Sequence, residues 1–300
     1  MKLISTQLLY ILLFLVGNLS AQEILSLDEA ISLGLENNFS VRLAQNNERI
    51  AVNNNTKGNA GMLPIFRTTS NVSYTSNNTI QKFFSGDERS GTGAGNTSLR
   101  LGAELTWTAF DGFRMFAAKD RLDLTEQRSF MFTRRSMHDL VSQIQTAYMR
   151  LIRIRQQMEI VEQSIELNLS LKTLAEQKLK LGATTELELL QTTNLLNADS
   201  SALLNLKDQL SQSKTGLNRL IGIDPATEFD VPLQLPEEVL PAQDQLMKLA
   251  IQQNFDLKLL DYDEQIALAQ IKEARSALFP TVNLNAGFNY AYSKSEVGFL

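Results

Sequence analysis

The sequence predicts a mainly α protein with β-strands: a long antiparallel coiled-coil hairpin joined to strands patterned like those of a transmembrane β-barrel. Three observations predict it. First, no Pro or Gly occurs from about Phe113 to Leu181. Within that stretch Leu140, Ile144, Ala147, Leu151, Ile154, Met158, Val161 and Ile165 alternate steps of four and three. This is a heptad seam, the pattern that favours left-handed supercoiling. Second, Leu99, Leu101, Ala103, Leu105, Trp107 and Ala109 alternate with Arg100, Gly102, Glu104, Thr106, Thr108 and Phe110, the period of two expected of a strand. Third, the chain starts over. Leu33 to Tyr74 reappears without a gap about 216 positions later as Leu249 to Tyr290, with Asn38-Phe39 over Asn254-Phe255, Leu43 over Leu259, Glu48 over Glu264, Pro64 over Pro280 and Tyr74 over Tyr290. A helix-then-strand unit that recurs only after a long coiled coil restricts the architecture severely.

The N-terminus reads as an export signal over residues 1–21. Lys2 supplies the positive end, Leu8 to Val16 the apolar run, and Leu19-Ser20-Ala21 a small-residue cleavage site. The apolar run is shorter than the roughly 20 residues a spanning helix needs, and no other stretch is long and apolar enough to be a transmembrane helix. If the chain spans a membrane, it does so with strands.

Ser26-Leu27-Asp28-Glu29 is a capping box, in which the Ser26 hydroxyl accepts from the Glu29 amide and the Glu29 side chain reaches back. The helix it opens breaks near Asn37-Asn38 and resumes to about Gly61, and Pro64 ends it. Phe66, Thr68, Ser70, Val72 and Tyr74 then face one way, with Arg67, Thr69, Asn71 and Ser73 the other. From about Asn77 to Thr97, Gly86, Gly91, Gly93 and Gly95 predict a loop too polar to pack. The strand of the second copy sets Val282, Leu284, Ala286, Phe288, Tyr290 and Tyr292 against Asn283, Asn285, Gly287 and Asn289.

Asp111-Gly112 closes the first copy's strands and opens the long helix, whose seam is read as shifting near Leu167 and running on through Leu171, Leu174 and Leu181. Gly182 supplies a left-handed C-cap. Thr185-Glu186-Leu187-Glu188 is a second capping box, opening a return helix with Leu189, Leu196, Leu203, Leu210 and Leu217 in heptad register. That helix ends at Gly222, and Pro225, Pro232 and Pro236 mark an irregular connection. The expected organisation is therefore a first repeat over residues 22–240 and the start of a second over 241–300. The chain reads as one complete repeat plus the opening of another, a fragment of a two-repeat protein.

Alternation alone leaves two readings of the strands even. A soluble sheet buries its apolar face in a core. A membrane barrel turns it to lipid in runs of about 9 to 11 residues with aromatics at the ends. The export signal, the aromatic ends at Trp107, Phe110, Tyr290 and Tyr292, and the Gly-rich loop favour the membrane.

Composition narrows the function. The net charge of −5 offers no basic excess for phosphates and argues against a nucleic-acid partner. With no cysteine there are no disulfides, thiolate metal sites or Cys nucleophiles. The single histidine, His138, flanks the heptad seam rather than a cleft. Asp120, Asp123 and Glu126 share a helix face without a histidine or calcium-loop pattern and read as solvated. Gly91 to Gly95 lacks the spacing of a phosphate-binding loop. The sequence predicts no catalytic constellation, no cofactor and no metal site, hence not an enzyme.

The assembled pattern resembles the TolC-like outer-membrane efflux factor family. The resemblance runs from Ser26 to the end of the chain. It rests on Leu27-Asp28-Glu29-Ala30-Ile31 with Glu36-Asn37-Asn38, Leu63-Pro64 before a strand, and Leu105-Thr106-Trp107-Thr108-Ala109-Phe110-Asp111-Gly112 at the strand-to-helix junction. It continues with Ala147-Tyr148 on the long helix, Leu181-Gly182 through Leu190 at the tip, and Leu220-Ile221-Gly222 closing the repeat. The resemblance implies a homotrimeric duct in the outer membrane of a Gram-negative bacterium, helical part in the periplasm, each repeat giving two strands to a shared barrel and a hairpin to a helical tunnel. It implies partnership with a periplasmic adaptor protein and an inner-membrane transporter, in drug, metal or type I protein export.

The tip residues Gly182, Ala183, Thr184, Thr185, Glu186 and Leu187 match the region that meets the adaptor. Arg100, Glu104, Thr106, Thr108, Asn283, Asn285 and Asn289 are then expected to line the lumen. Leu99, Leu101, Leu105, Trp107, Leu284, Phe288 and Tyr290 are expected to face outer-membrane lipid. The rival reading is an exported structural coiled-coil protein with a soluble β domain.

Overall fold

The computed structural model describes residues 24–233 and 242–295. The export signal, and the expected repeat boundary at residue 240, lie outside the described residues. The chain divides into two compact units, one within Met1–Asn47 and Met131–Asp256, the other within Glu48–Phe130 and Leu257–Leu300.

The duplication in the sequence is a duplication in structure. Helices α1 (Leu27–Asn37) and α2 (Phe39–Asn54) recur at the same offset as α5 (Gln243–Gln253) and α6 (Phe255–Arg275). Asn38 and Asn254 make the breaks between them. Each has extended backbone and donates its N–H to the preceding helix, at Gly34 O and Ala250 O respectively. Each then turns its side-chain oxygen to the next helix, accepting the amides of Ser40 and Asp256, both at 2.8 Å. One side chain thus serves as the N-cap that four orphan amides require. The copies differ at their starts: Ser26 caps α1 through the Glu29 amide, whereas Ala242 offers α5 no side-chain cap.

Helix α2 stops at Asn54 rather than near Gly61. The Asn55 side chain is taken by two carboxylates instead, donating to Asp123 at 2.7 Å and Glu126 at 2.5 Å. Thr56 Oγ1 captures the Asn59 amide and Asn59 caps the Asn54 carbonyl. Of the acidic trio, Asp123 and Glu126 are therefore engaged with Asn55, while Asp120 is exposed as expected of a solvated face. Lys119 donates to Asp123 at 2.5 Å, and that bond, followed by the one from Asn55, holds the Asp123 carboxyl below its ordinary range.

Strands β1 (Ile65–Lys82), β2 (Glu88–Phe110) and β3 (Val282–Ser295) form an antiparallel sheet in the order β1-β2-β3. The segment expected to be a loop from Asn77 to Thr97 is the outer half of the β1–β2 hairpin. Its turn closes at Phe83–Asp87, with the Phe83 amide on Asp87 O at 2.9 Å. Ladder hydrogen bonds are made by the backbone, so Asn, Thr and Gly sustain them without an apolar face. A bulge between Asn77 and Thr79 interrupts the pairing, and Asn78 there accepts the Gly93 amide at 2.8 Å.

Helix α3 (Arg114–Lys180) and helix α4 (Glu186–Ile221) form the hairpin. Asp111 opens α3 by accepting the Met115 amide at 3.2 Å. Phe113, expected to begin the helix, instead takes a left-handed conformation at φ 69°, alone among the described non-glycine residues. The seam does not shift near Leu167. It keeps its four-and-three steps past Ile165 to Asn168, Lys172, Ala175 and Leu179, with Ala175 only 3% exposed. Leu167, Leu171, Leu174 and Leu181 lie outside it and are exposed. Leucine outranks alanine and lysine in hydrophobicity, but a supercoil holds whatever occupies the seam position. On α4, the heptad Leu189, Leu196, Leu203, Leu210 and Leu217 is buried or half-buried throughout. Halfway along, Asp199 accepts from Ser164 Oγ at 2.6 Å and Asn168 Nδ2 at 2.7 Å. A polar layer of this kind fixes the register of a coiled coil.

The core of the first unit gathers Val41, Ile144, Tyr148, Leu151, Leu217 and Ile221, with Phe229 and Val231 from the connection. Tyr148 donates its phenol to Leu25 O at 2.7 Å, and burial pushes its pKa up. Asn38 Nδ2 donates to Leu220 O at 2.8 Å, and Asn218 holds the turn of the connection through Pro225 O and Thr227 O. Gly222 ends α4 at φ 74°, where a Cβ would meet the Asn37 backbone at 2.8 Å; Gly182 ends α3 at φ 69° in open space.

These two glycines give a paired expectation. Gly182→Ala costs only the left-handed penalty, about 1–2 kcal/mol. Gly222→Ala adds overpacking of about 1–3 kcal/mol against Asn37. Thermal melts of the two variants will show the larger loss at Gly222.

Candidate functional site: a two-faced sheet and a hairpin tip

Residues directly opposite in an antiparallel pair point to the same face, so the register decides whether the apolar rows of three strands coincide. They do. Phe66, Ser70 and Val72 lie across from Leu105, Leu101 and Leu99. Trp107, Leu105, Ala103, Leu101 and Leu99 lie across from Leu284, Ala286, Phe288, Tyr290 and Tyr292. All seven residues expected on the apolar side share this face. The opposite face collects Arg100, Glu104, Thr106 and Thr108 with Asn289, Asn285 and Asn283, together with Arg67, Thr69 and Asn71. Thr108 and Asn283 are joined by a 2.9 Å hydrogen bond.

A bulge at Ala109 corrects the alternation at one end. Phe110 pairs with Val282, which moves it from the polar row to the apolar one. An extra residue in one strand reverses the faces beyond it, and nothing in the alternating pattern announces where it falls. Phe110 meets the Phe113 ring edge-on at 5.3 Å, and Phe116 follows at 6.3 Å. With Trp107, whose indole N–H donates to Met62 O at 3.2 Å, these rings form an aromatic band at the strand ends.

The apolar face is uncovered. Phe288 and Val72 are each 70% exposed, and β3 is exposed along its whole length. From Val282 to Tyr292 and from Leu99 to Phe110 this face carries no charge; Lys294, across from Thr97, is the first. That charge-free stretch matches the 9–11 residues of a membrane strand, although the strands themselves run on to 18, 23 and 14 residues. The excess belongs mostly to the polar outer hairpin.

At the tip, the Ala183 amide reaches Lys178 O at 2.8 Å and the Gly182 amide reaches Leu179 O at 3.0 Å, a Schellman motif. Thr185 accepts the Glu188 amide at 3.4 Å. The Glu188 carboxylate takes the Thr184 hydroxyl rather than returning to the cap residue. Lys178 and Lys180 in the last turn of α3, and Glu186 and Glu188 in the first turn of α4, each oppose the helix-end charge they sit on. Gly182, Ala183, Thr185, Glu186 and Leu187 are exposed and Thr184 half-buried. Leu181 stands out at 83% exposure, with Leu187 and Leu190 also bare. Leu181 lies outside the seam: the four-and-three count carried forward from Ile165 passes through Leu179 and leaves Leu181 on the surface.

Among the described residues no helix is long and apolar enough to cross a membrane. No group of metal-ligating side chains occurs among them either. His138 meets the Phe255 ring at 5.6 Å, tilted by 52°. Contrary to expectation it lines an open cleft, with Arg135, Asp139, Leu249 and Phe255, because α5 and the first residues of α6 pack beside it.

Comparison with known proteins bears on this arrangement. The profile described as outer membrane efflux protein matches residues 30–223. The chain belongs to that family. Its match begins in α1 and closes just past Gly222, so it takes in both β1 and β2 and the whole hairpin. Among solved structures, the chain is similar to CusC, a transmembrane channel (TM-score 0.69, 18% identity, 93% of this chain and 67% of that one). It is similar to the outer membrane protein VceC from Vibrio cholerae (TM-score 0.66, 16% identity, 91% and 68%). It is also similar to the CmeC outer membrane channel of Campylobacter jejuni (TM-score 0.69, 15% identity, 91% and 61%). The chain thus spans about two thirds of the length of these channels. No curated protein matches significantly. At these identities the likeness establishes the fold, and the family establishes outer-membrane efflux as the setting.

Proposed function

We propose that this efflux-family chain contributes to a homotrimeric exit duct, which passively conducts cargo received from a periplasmic adaptor and an inner-membrane transporter. The observation that carries the reading is the register: three strands stack their apolar residues on one bare face, free of charge from the level of Phe110 to that of Tyr292, and their polar residues on the other. Lipid is the solvent for the first face and water for the second. On this reading Leu99, Leu101, Leu105, Trp107, Leu284, Phe288 and Tyr290 meet lipid. Arg100, Glu104, Thr106, Thr108, Asn283, Asn285 and Asn289 line the lumen. Three strands cannot satisfy their edges in hydrocarbon, which favours closure of the sheet by other strands of a trimer. The exposed stripe of Leu167, Leu171 and Leu174 suits side-by-side packing of hairpins in the same assembly. Residues 22–240 form the first repeat and residues 241–300 belong to the second. A wet passage, with no gathered nucleophile, base or cofactor cradle among the described residues, suits a conduit rather than a catalyst.

The membrane half of this reading is tested by two neighbours on β3. Phe288 lies four residues from both Leu284 and Tyr292, midway along the apolar row, and Asn289 follows it on the polar row. Arginine facing mid-bilayer costs about 2–4 kcal/mol. Phe288→Arg will lower heat-resistant trimer in outer-membrane fractions, and Asn289→Arg will leave it near wild type. Equal assembly of both, or the reverse order, contradicts the assignment of faces.

The tip half rests on Gly182, Ala183, Thr184, Thr185, Glu186 and Leu187, which form a tight exposed turn suited to close docking of an adaptor's own helices; bare Leu181 extends that surface. Since Gly182 has open space around it, Gly182→Arg will leave trimer content intact while abolishing adaptor cross-linking and export. Normal cross-linking and export reduce Gly182 to a turn residue.

A further inference from the structure

The polar face of the sheet carries charge at only three of its described positions between the levels of Trp107 and Tyr292: Arg67, Glu104 and Arg100. Arg67 and Glu104 are direct cross-strand partners, so a cation and an anion sit side by side and their fields largely cancel a few ångströms away. Arg100 has no such neighbour. Its partners are Asn71 on β1 and Ala291 on β3. The residues two steps along on the same face are Gly102, Ser98, Thr69, Ser73, Asn289 and Ser293. None is acidic. Arg100 is exposed, and it lies four residues from Glu104, on the order of 13 Å along the strand, beyond the roughly 8 Å screening length of physiological salt.

We propose that Arg100 forms a cationic ring in the lumen that favours passage of anionic solutes, such as carboxylates, sulfonates and phosphate esters, over cations. The proposal rests on the lumen reading of the polar face given above. In a threefold assembly, one unpaired guanidinium per chain becomes three at a single level of the pore. Rings of Arg or Lys side chains are the means by which pores select anions. Low-dielectric walls around a narrow aqueous passage focus that field further. Glu104 is the opposing term: it sets a negative charge at the level of Arg67, and its removal leaves a second cationic level. The flanking Thr, Ser, Asn and Gly residues leave space and water around Arg100 without competing charge, so the ring acts on ions in transit rather than on a fixed partner.

Trimers of the complete chain in planar bilayers under a potassium chloride gradient provide the test, with the chloride-to-potassium permeability ratio read from the reversal potential. Relative to wild type, Arg100→Gln will lower the ratio and Glu104→Gln will raise it. Both shifts will shrink at 1 M salt, where screening falls to about 3 Å. An unchanged ratio in Arg100→Gln, or shifts of the same sign in both variants, overturns the proposal. These 300 residues hold no cysteine, so Arg100→Cys, with any cysteine elsewhere in the complete chain replaced by serine, gives a single thiol for membrane-impermeant methanethiosulfonates. Labelling that reduces conductance while the Gln variants leave the ratio unmoved refutes the selectivity ring and leaves the lumen standing. Failure of the thiol to react from water in open trimers refutes the lumen reading itself, and the ring with it.

Discussion

The architecture depends on cross-strand register. Each strand alone is an alternating segment with modest information, and a slip of one residue would send every apolar side chain to the wrong face. The register that pairs Leu101 with Ser70 and Tyr290, and Arg100 with Asn71 and Ala291, aligns three separate alternations into two chemically distinct surfaces. The apolar one has Phe288, Val72, Phe66 and Tyr74 standing largely free. Apolar area left in water forfeits about 25 cal/mol per Å², so such a face has no stable place against bulk water. A bilayer accommodates it, provided that the sheet's edges are also satisfied. On the proposed reading, one pairing pattern calls for both oligomeric closure and membrane insertion.

The hairpin obeys a different logic. Its seam is strict in spacing but uneven in chemistry, with Asn168, Lys172 and Ala175 occupying positions where Leu would pack better. Asp199 answers Ser164 and Asn168 across the seam. A polar layer sacrifices apolar burial and in return rules out sliding of α4 along α3, since any other register strands a carboxylate among leucines. The displaced leucines then form a second stripe on the outside. In the proposed assembly the hairpin uses two such surfaces, one for its own partner helix and one for neighbouring hairpins.

Much of this was legible in the sequence because it is carried by periods and caps. The offset between copies reproduces the helix boundaries at Asn38 and Asn254 residue for residue, since a short polar side chain at a helix break has a local job that does not depend on tertiary context. The faces of β2 and β3 were legible for the same reason. What was not legible depended on partners distant in the chain. The outer hairpin of β1 and β2 looked like loop because its side chains say nothing of the backbone ladder opposite. The bulge at Ala109, which turns Phe110 to the apolar face, is a property of the pairing with Val282 and not of either strand. The early end of α2 depends on Asp123 and Glu126, far along the chain, which claim Asn55. Past Ile165 the seam follows spacing through Asn168, Lys172 and Ala175 and leaves the more hydrophobic Leu167, Leu171 and Leu174 exposed, so hydrophobicity alone points to the wrong stripe.

The most direct measurement of the central claim uses Trp107, the one tryptophan of these 300 residues, with any other tryptophan of the complete chain replaced by phenylalanine. It lies on the apolar face near the band of Phe110, Phe113 and Phe116. Trimers reconstituted in bilayers whose acyl chains carry bromine at defined depths report the distance of the indole from each depth by fluorescence quenching. The account predicts strong quenching by bromine placed near the headgroup end of the chains, weaker quenching by bromine at the bilayer centre, and little quenching by aqueous iodide. Quenching by iodide with no response to brominated lipid at any depth would place the apolar face away from the membrane and contradict the account.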